Sequence, residues 1–213
     1  MPLSRHHRWA LAGAVLTSAI ALTDAVTHGL TGGFSPFSED SDLTLLVVAG
    51  TLVHGLAYVA FAVVLVTEAG RFSATNRVAR GSRWVVLASL AVLAAGFLTV
   101  SPVATVLDAY DGAAYAVFGI VAGLGFAGLL LGSMVMGVAL LRTDALGLGA
   151  RVLALLLPAL GVTLLLAWLS PLWAHPAYVE TLAYVGLALL GVGAGSSRPA
   201  TRAATASSTS TSV

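Results

Sequence analysis

The chain has 213 residues, 58% of them hydrophobic and 9% charged, with a mean hydropathy of +0.97 and a formal net charge of +1. A water-soluble domain carries about 25% charged residues, so a soluble globular fold is excluded and the solvent is a bilayer. With neither Cys nor Lys present, disulfides, thiolate metal sites, iron–sulfur clusters, lysine Schiff bases and the lysine of a phosphate-binding loop are excluded as well.

The first apolar run covers residues 9–30, behind the basic stretch Arg5-His6-His7-Arg8. It reads as a membrane span. The alternative is a secretory signal ending near Ala19-Ile20-Ala21, but the run exceeds the roughly 7 to 15 apolar residues such a signal uses. Further runs follow over 43–67, 84–107, 113–141, 152–170 and 177–194. Even the last, of 18 residues, reaches about 27 Å as a helix, close to a hydrocarbon core of roughly 30 Å. No run alternates with period two, and backbone groups in lipid must be satisfied within their own segment, so helices rather than a barrel are expected. The predicted fold class is all-α, a polytopic six-helix bundle over residues 1–194. Pro158 lies inside the fifth run, and Pro171 and Pro176 bracket the turn before the sixth. Residues 195–213, rich in Ser, Thr and Ala, have no hydrophobic period and are expected to form a disordered cytoplasmic tail.

The ten basic residues, all Arg, set the expected orientation. Arg5 and Arg8 precede the first run, Arg71, Arg77, Arg80 and Arg83 follow the second, Arg142 and Arg151 follow the fourth, and Arg198 and Arg202 follow the sixth. All fall on one side of an alternating path, which places both termini in the cytoplasm of a plasma-membrane protein. Glu39, Asp40, Asp42, Asp108, Asp111, His175 and Glu180 fall on the other side. The dispersed Arg and small net charge offer nothing to nucleic acid.

Three groups of residues invite a functional reading. Asp24 and His28 lie one turn apart on the first span, and Thr51, His54 and Tyr58 share a face of the second. An ionisable group inside a span is costly and needs a partner. Asp24 and His54 are expected to supply each other's, although Asp24 lies about six residues below the outer boundary and His54 about eleven, a mismatch of roughly 7 Å. The alternative is that Asp24 reaches the headgroups and His54 bonds a nearby carbonyl. On the fourth span, Gly119, Gly123, Gly128, Gly132 and Gly137 form small-residue pairs that let another backbone approach, within the bundle or in an oligomer. His28, His175, Asp108, Asp111 and Glu180 are metal-ligand types near the outer surface, but they come from separate loops without ligand spacing, so neither a metal nor a cofactor is expected.

In size and span count the chain resembles the substrate-binding subunits of energy-coupling-factor importers, whose first-helix Ala-x-x-x-Ala spacing Ala10 and Ala14 match; the resemblance is one of architecture alone. The motifs of rhomboid-type proteases and of aquaporin-like channels are absent, since Leu131-Gly132-Ser133-Met134 lacks the second Gly and the only Asn is Asn76. Small-solute or ion binding and transport through an outward-facing polar pocket is the leading expectation. An accessory subunit, meeting a membrane partner or a second copy through span four, is the alternative. An enzyme using Asp24 and His54 as acid and base on a lipid or other hydrophobic substrate is the third reading.

Overall fold

A computed structural model describes residues 3–38, 41–141, 143 and 145–194. The expected tail and the side chains of Glu39, Asp40, Arg142, Arg198 and Arg202 lie outside the described residues. Every regular element among them is helical.

Helix α1 runs Arg5–Thr31. Ser4 caps it by accepting the His7 amide, and Gly32, at a φ of 69°, ends it with its N–H on the His28 carbonyl. Helix α2 spans Thr44–Thr67, followed after Glu68 by the short α3, Ala69–Ser73. Asn76 caps the next helix, α4 (Arg77–Leu98), accepting from Ala79 N at 2.8 Å.

Two breaks share one cause. Helix α4 stops at Leu98 and resumes as α5, Val100–Leu107; α7, Gly147–Ala154, stops and resumes as α8, Leu156–Leu169. Leu98 and Ala154 each sit four residues before a proline, Pro102 and Pro158. That is the residue whose carbonyl loses its donor and meets the proline ring, so the helix gives way at the following residue, Thr99 or Leu155. Between these broken helices runs the unbroken α6, Ala113–Leu140.

Among the described residues, five helical stretches are long and apolar enough to cross a membrane: Arg5–Thr31, Thr44–Thr67, Arg77–Leu107, Ala113–Leu140 and Gly147–Leu169. The sixth expected run forms a shorter helix than the others. Helix α9 covers only Ala177–Ala188, twelve residues or about 18 Å. It ends early because Gly191 and Gly193 adopt φ of 87° and 69°, turning the chain so that the Gly191 amide bonds the Leu146 carbonyl.

Though short, α9 is the most enclosed element. Ala177, Ala183, Tyr184, Leu187 and Ala188 are fully buried, and the helix touches α1, α2, α6, α7 and α8. Neighbours in sequence pack side by side from α1 through α2, α4, α6 and α7 to α9, and the contact of α9 with α1 closes the ring. Lipid tails are as apolar as the side chains, so close packing, not expulsion of water, holds these helices together. At Gly149 a Cβ would run into Leu190 N and Gly186 O, so only glycine lets α7 and α9 lie this close.

Candidate functional site

The polar side chains of the bundle converge on α9 and the turn before it. His175 Nδ1 accepts the Ala177 amide at 3.3 Å, which leaves Nε2 to carry the ring hydrogen and point it at Asp24 Oδ2, 3.5 Å away. The other Asp24 oxygen accepts the Ser35 amide at 3.4 Å. His28 adds a second imidazole, its ring centroid 6.4 Å from that of His175. Trp173 packs against α1 at Gly29, where a Cβ would strike the indole. Burial pushes the His175 pKa below the ordinary value of 6.5; Asp24 pulls it back up and His28 pushes it down again.

Deeper along α9, Glu180 and Tyr184 lie one turn apart. The Tyr184 hydroxyl donates to Glu180 Oε2 at 3.3 Å, so the Tyr58 hydroxyl, 3.1 Å from that of Tyr184, is the donor in the next link. Tyr58 and Tyr184 are buried, and Phe61 stacks on Tyr184 with centroids 5.5 Å apart. Glu180, Tyr184 and Tyr58 thus form a hydrogen-bonded string from α9 to the middle of α2, with the His175–Asp24 pair at the start of α9.

The expected residues divide. Asp24, His28 and Tyr58 belong to this string or border it. Thr51 and His54 turn back on their own helix, Thr51 donating to Val48 O at 2.9 Å and His54 Nδ1 donating to Gly50 O at 2.9 Å. The His54 ring rests against Tyr58 and Phe97, with centroids 6.2 and 6.0 Å away. Among the described residues no hydrogen bond or ion pair joins Asp24 to His54. Asp24 and His54 thus bond different partners, Asp24 at Ser35 and His175 and His54 at Gly50.

The glycines of α6 divide as well. A Cβ at Gly128 would meet Ser89, at Gly132 Val86, and at Gly137 the backbone of Leu153 and Ala154, whereas Gly119 and Gly123 have nothing within 4 Å. The first three sit where α6 meets α4 and α7; the last two face outward from the protomer.

Tyr184 was missed in the sequence, and Glu180 was placed with the outer-surface acids. An acid with a tyrosine one turn on inside an apolar run was the available signal, the same spacing that drew attention to Asp24 and His28. Four surface clefts of 340 to 380 Å³ lie elsewhere, along α1, α2 and α6, and neither Asp24, His54, Tyr58 nor Glu180 lines any of them. No protein-family model, no curated protein and no solved structure matches the chain.

Proposed function

We propose that the chain is a multi-pass membrane protein that binds and transfers protons, with Glu180 as the proton-accepting group reached from the outer side through His175 and Asp24. The observation that supports this reading is the hydrogen-bonded run from Glu180 through Tyr184 to Tyr58 in an enclosed setting. Hydroxyl and carboxyl groups in line pass a proton by exchanging hydrogen bonds and need no cavity. The four clefts described above lie away from the string. Inward of Tyr58 the core becomes apolar at Phe61, Val64 and Leu65, so in this conformation the proton site opens outward, and passage to the inner side requires a second conformation that opens this apolar stretch.

The topology that goes with it has six crossings, α9 and the turns after it making the last, in the plasma membrane with both termini cytoplasmic. Two contacts with α1 support it. His175 meets Asp24 near one end of α1, and the Leu190 carbonyl meets His7 Nε2 at 2.7 Å near the other. Those positions on α1 are about 26 Å apart at helical rise, so residues 175–190 run most of the depth of the membrane. Arg5, Arg8, Arg71, Arg77, Arg80 and Arg83 lie toward the His7 end, the cytoplasmic one by the excess of basic residues there.

The test is proton uptake into proteoliposomes carrying a pH-sensitive dye, driven by an imposed membrane potential. Wild-type protein acidifies the interior, and Glu180→Gln does not. Equal fluxes in wild-type and empty vesicles would end the reading.

The accessory-subunit reading draws on a different observation. Helix α6 is the least covered of the five long helices, and Gly119 and Gly123 present bare backbone on its open side. A partner chain or a second copy seated there would co-purify in mild detergent and be lost with Gly123→Leu.

A further inference from the structure

We infer that the inner end of the bundle carries a binding site for one divalent transition-metal ion of the zinc class, formed by His6, His7 and Glu68. Their ligand atoms all lie within 4.8 Å of one another. The residues come from two places that the chain does not join locally: the first turn of α1, and the corner between α2 and α3.

The hydrogen bonds reveal how each donor is held. Leu190 O can only accept, so His7 Nε2, 2.7 Å away, carries the ring hydrogen. His7 Nδ1 is then the lone-pair nitrogen, and the Ser4 hydroxyl donates to it at 2.6 Å. The same Ser4 oxygen lies 3.0 Å from His6 Nε2. Both imidazoles, their centroids 4.3 Å apart, therefore direct a nitrogen at one small hydroxyl. Glu68 Oε1 approaches from the other side, 3.9 Å from His6 Nε2, while Arg71 Nε holds Oε2 at 2.6 Å.

This is the arrangement of a metal site with its supporting shell in place. A ligating histidine ordinarily donates its second N–H to a backbone carbonyl, which fixes the tautomer; here Leu190 is that carbonyl. Arg71 orients the carboxylate and leaves one oxygen for the ion. Two imidazole nitrogens and a carboxylate oxygen suit zinc and its neighbours in the transition series rather than magnesium or calcium. Tetrahedral coordination at about 2.0 to 2.2 Å needs donors roughly 3.3 Å apart. Modest side-chain rotations close the site around an ion that takes the place of the Ser4 hydroxyl, with His6 in its other neutral tautomer. The fourth position goes to that hydroxyl or to water.

The ion would clasp three parts of the chain. His7 is tied to the turn after α9 through Leu190, and Glu68 lies against Gly191, where a Cβ would collide with the carboxylate. Metal would thereby lock the start of α1, the α2–α3 corner and the end of α9 together.

Zinc titration of the full-length protein in detergent micelles, followed calorimetrically, tests the proposal. The absence of Cys removes thiol binding as a source of signal, and the purification tag must contain no His. One zinc binds per chain, His6→Ala and Glu68→Gln each weaken binding at least tenfold, and His175→Ala leaves it unchanged. With Co²⁺ in place of zinc, the visible absorption of a four-coordinate ion appears in wild-type protein and not in His6→Ala. His6 is partly exposed, with 25% of its side chain accessible, so His6→Ala keeps the test valid if Glu68→Gln fails to fold. Absence of saturable binding in wild-type protein, or binding that survives His6→Ala unweakened, overturns the proposal.

Discussion

Helices α9 and α6 contrast in almost every respect. One has twelve residues, more than half of them buried, and carries Glu180 and Tyr184; the other has 28, most of them not buried, and carries no Asp, Glu, His or Arg. Length alone would make α6 the backbone of the molecule and α9 a remnant. The chemistry is distributed the other way, because an ionisable group facing lipid is costly and can be kept only where other helices satisfy it. Being enclosed matters more for a site than being long.

Gly149→Leu offers the most severe way to break the contrast. The added side chain would meet α9 backbone atoms with no room to yield, and the expected loss is about 3 kcal/mol or more, seen as failure to express or a collapsed thermal transition in detergent. Tyr184→Phe is gentler, since the ring and its stacking on Phe61 remain. It interrupts the string between Tyr58 and Glu180 and leaves both short of a partner, at a cost of about 1 to 3 kcal/mol together with loss of proton uptake.

A smaller effect is expected from pH. The folded-state pKa of His175 lies below its ordinary 6.5, so below that pH the unfolded chain binds more protons at this position than the folded one, and stability falls as pH drops. Above it the contribution is constant. Thermal unfolding in detergent between about pH 7 and 5 should show this decline, and His175→Gln should make it shallower. Gly123→Leu, on the open side of α6, is expected to change stability by less than about 0.5 kcal/mol. A large effect there in a purified monomer would mean that α6 is covered by something other than lipid.

The five long helices could be read from hydropathy because the period and length of an apolar run are properties of the segment itself. Pro158 could be read too, though not where the helix would give way, which is four residues upstream, at the carbonyl the proline leaves unpaired; Pro102, with the same effect between α4 and α5, went unread. Helix α9 escaped because its end is set by Gly191 and Gly193 turning onto Leu146, a contact with a distant loop. Asp24 was recognised as needing a partner. Its partner was sought on α2, at His54, because α2 is joined to α1 by a short loop, whereas the structure supplies His175 from the far end of the chain. Tyr58 was picked out for its position on a polar face, and its bond to Tyr184 spans 126 residues. The glycine pattern on α6 likewise could not distinguish Gly137, against α7, from Gly123, against nothing.

The central claim is that Glu180 exchanges a proton through the string that begins at Tyr184. Infrared difference spectroscopy of the protein in lipid, recorded across a pH change, observes a carboxyl group directly. The account predicts a carboxylic-acid C=O band that appears on acidification, shifts in Tyr184→Phe because a hydrogen bond to that carboxyl is lost, and is absent from Glu180→Gln. A difference spectrum identical in wild-type protein and Glu180→Gln would contradict it.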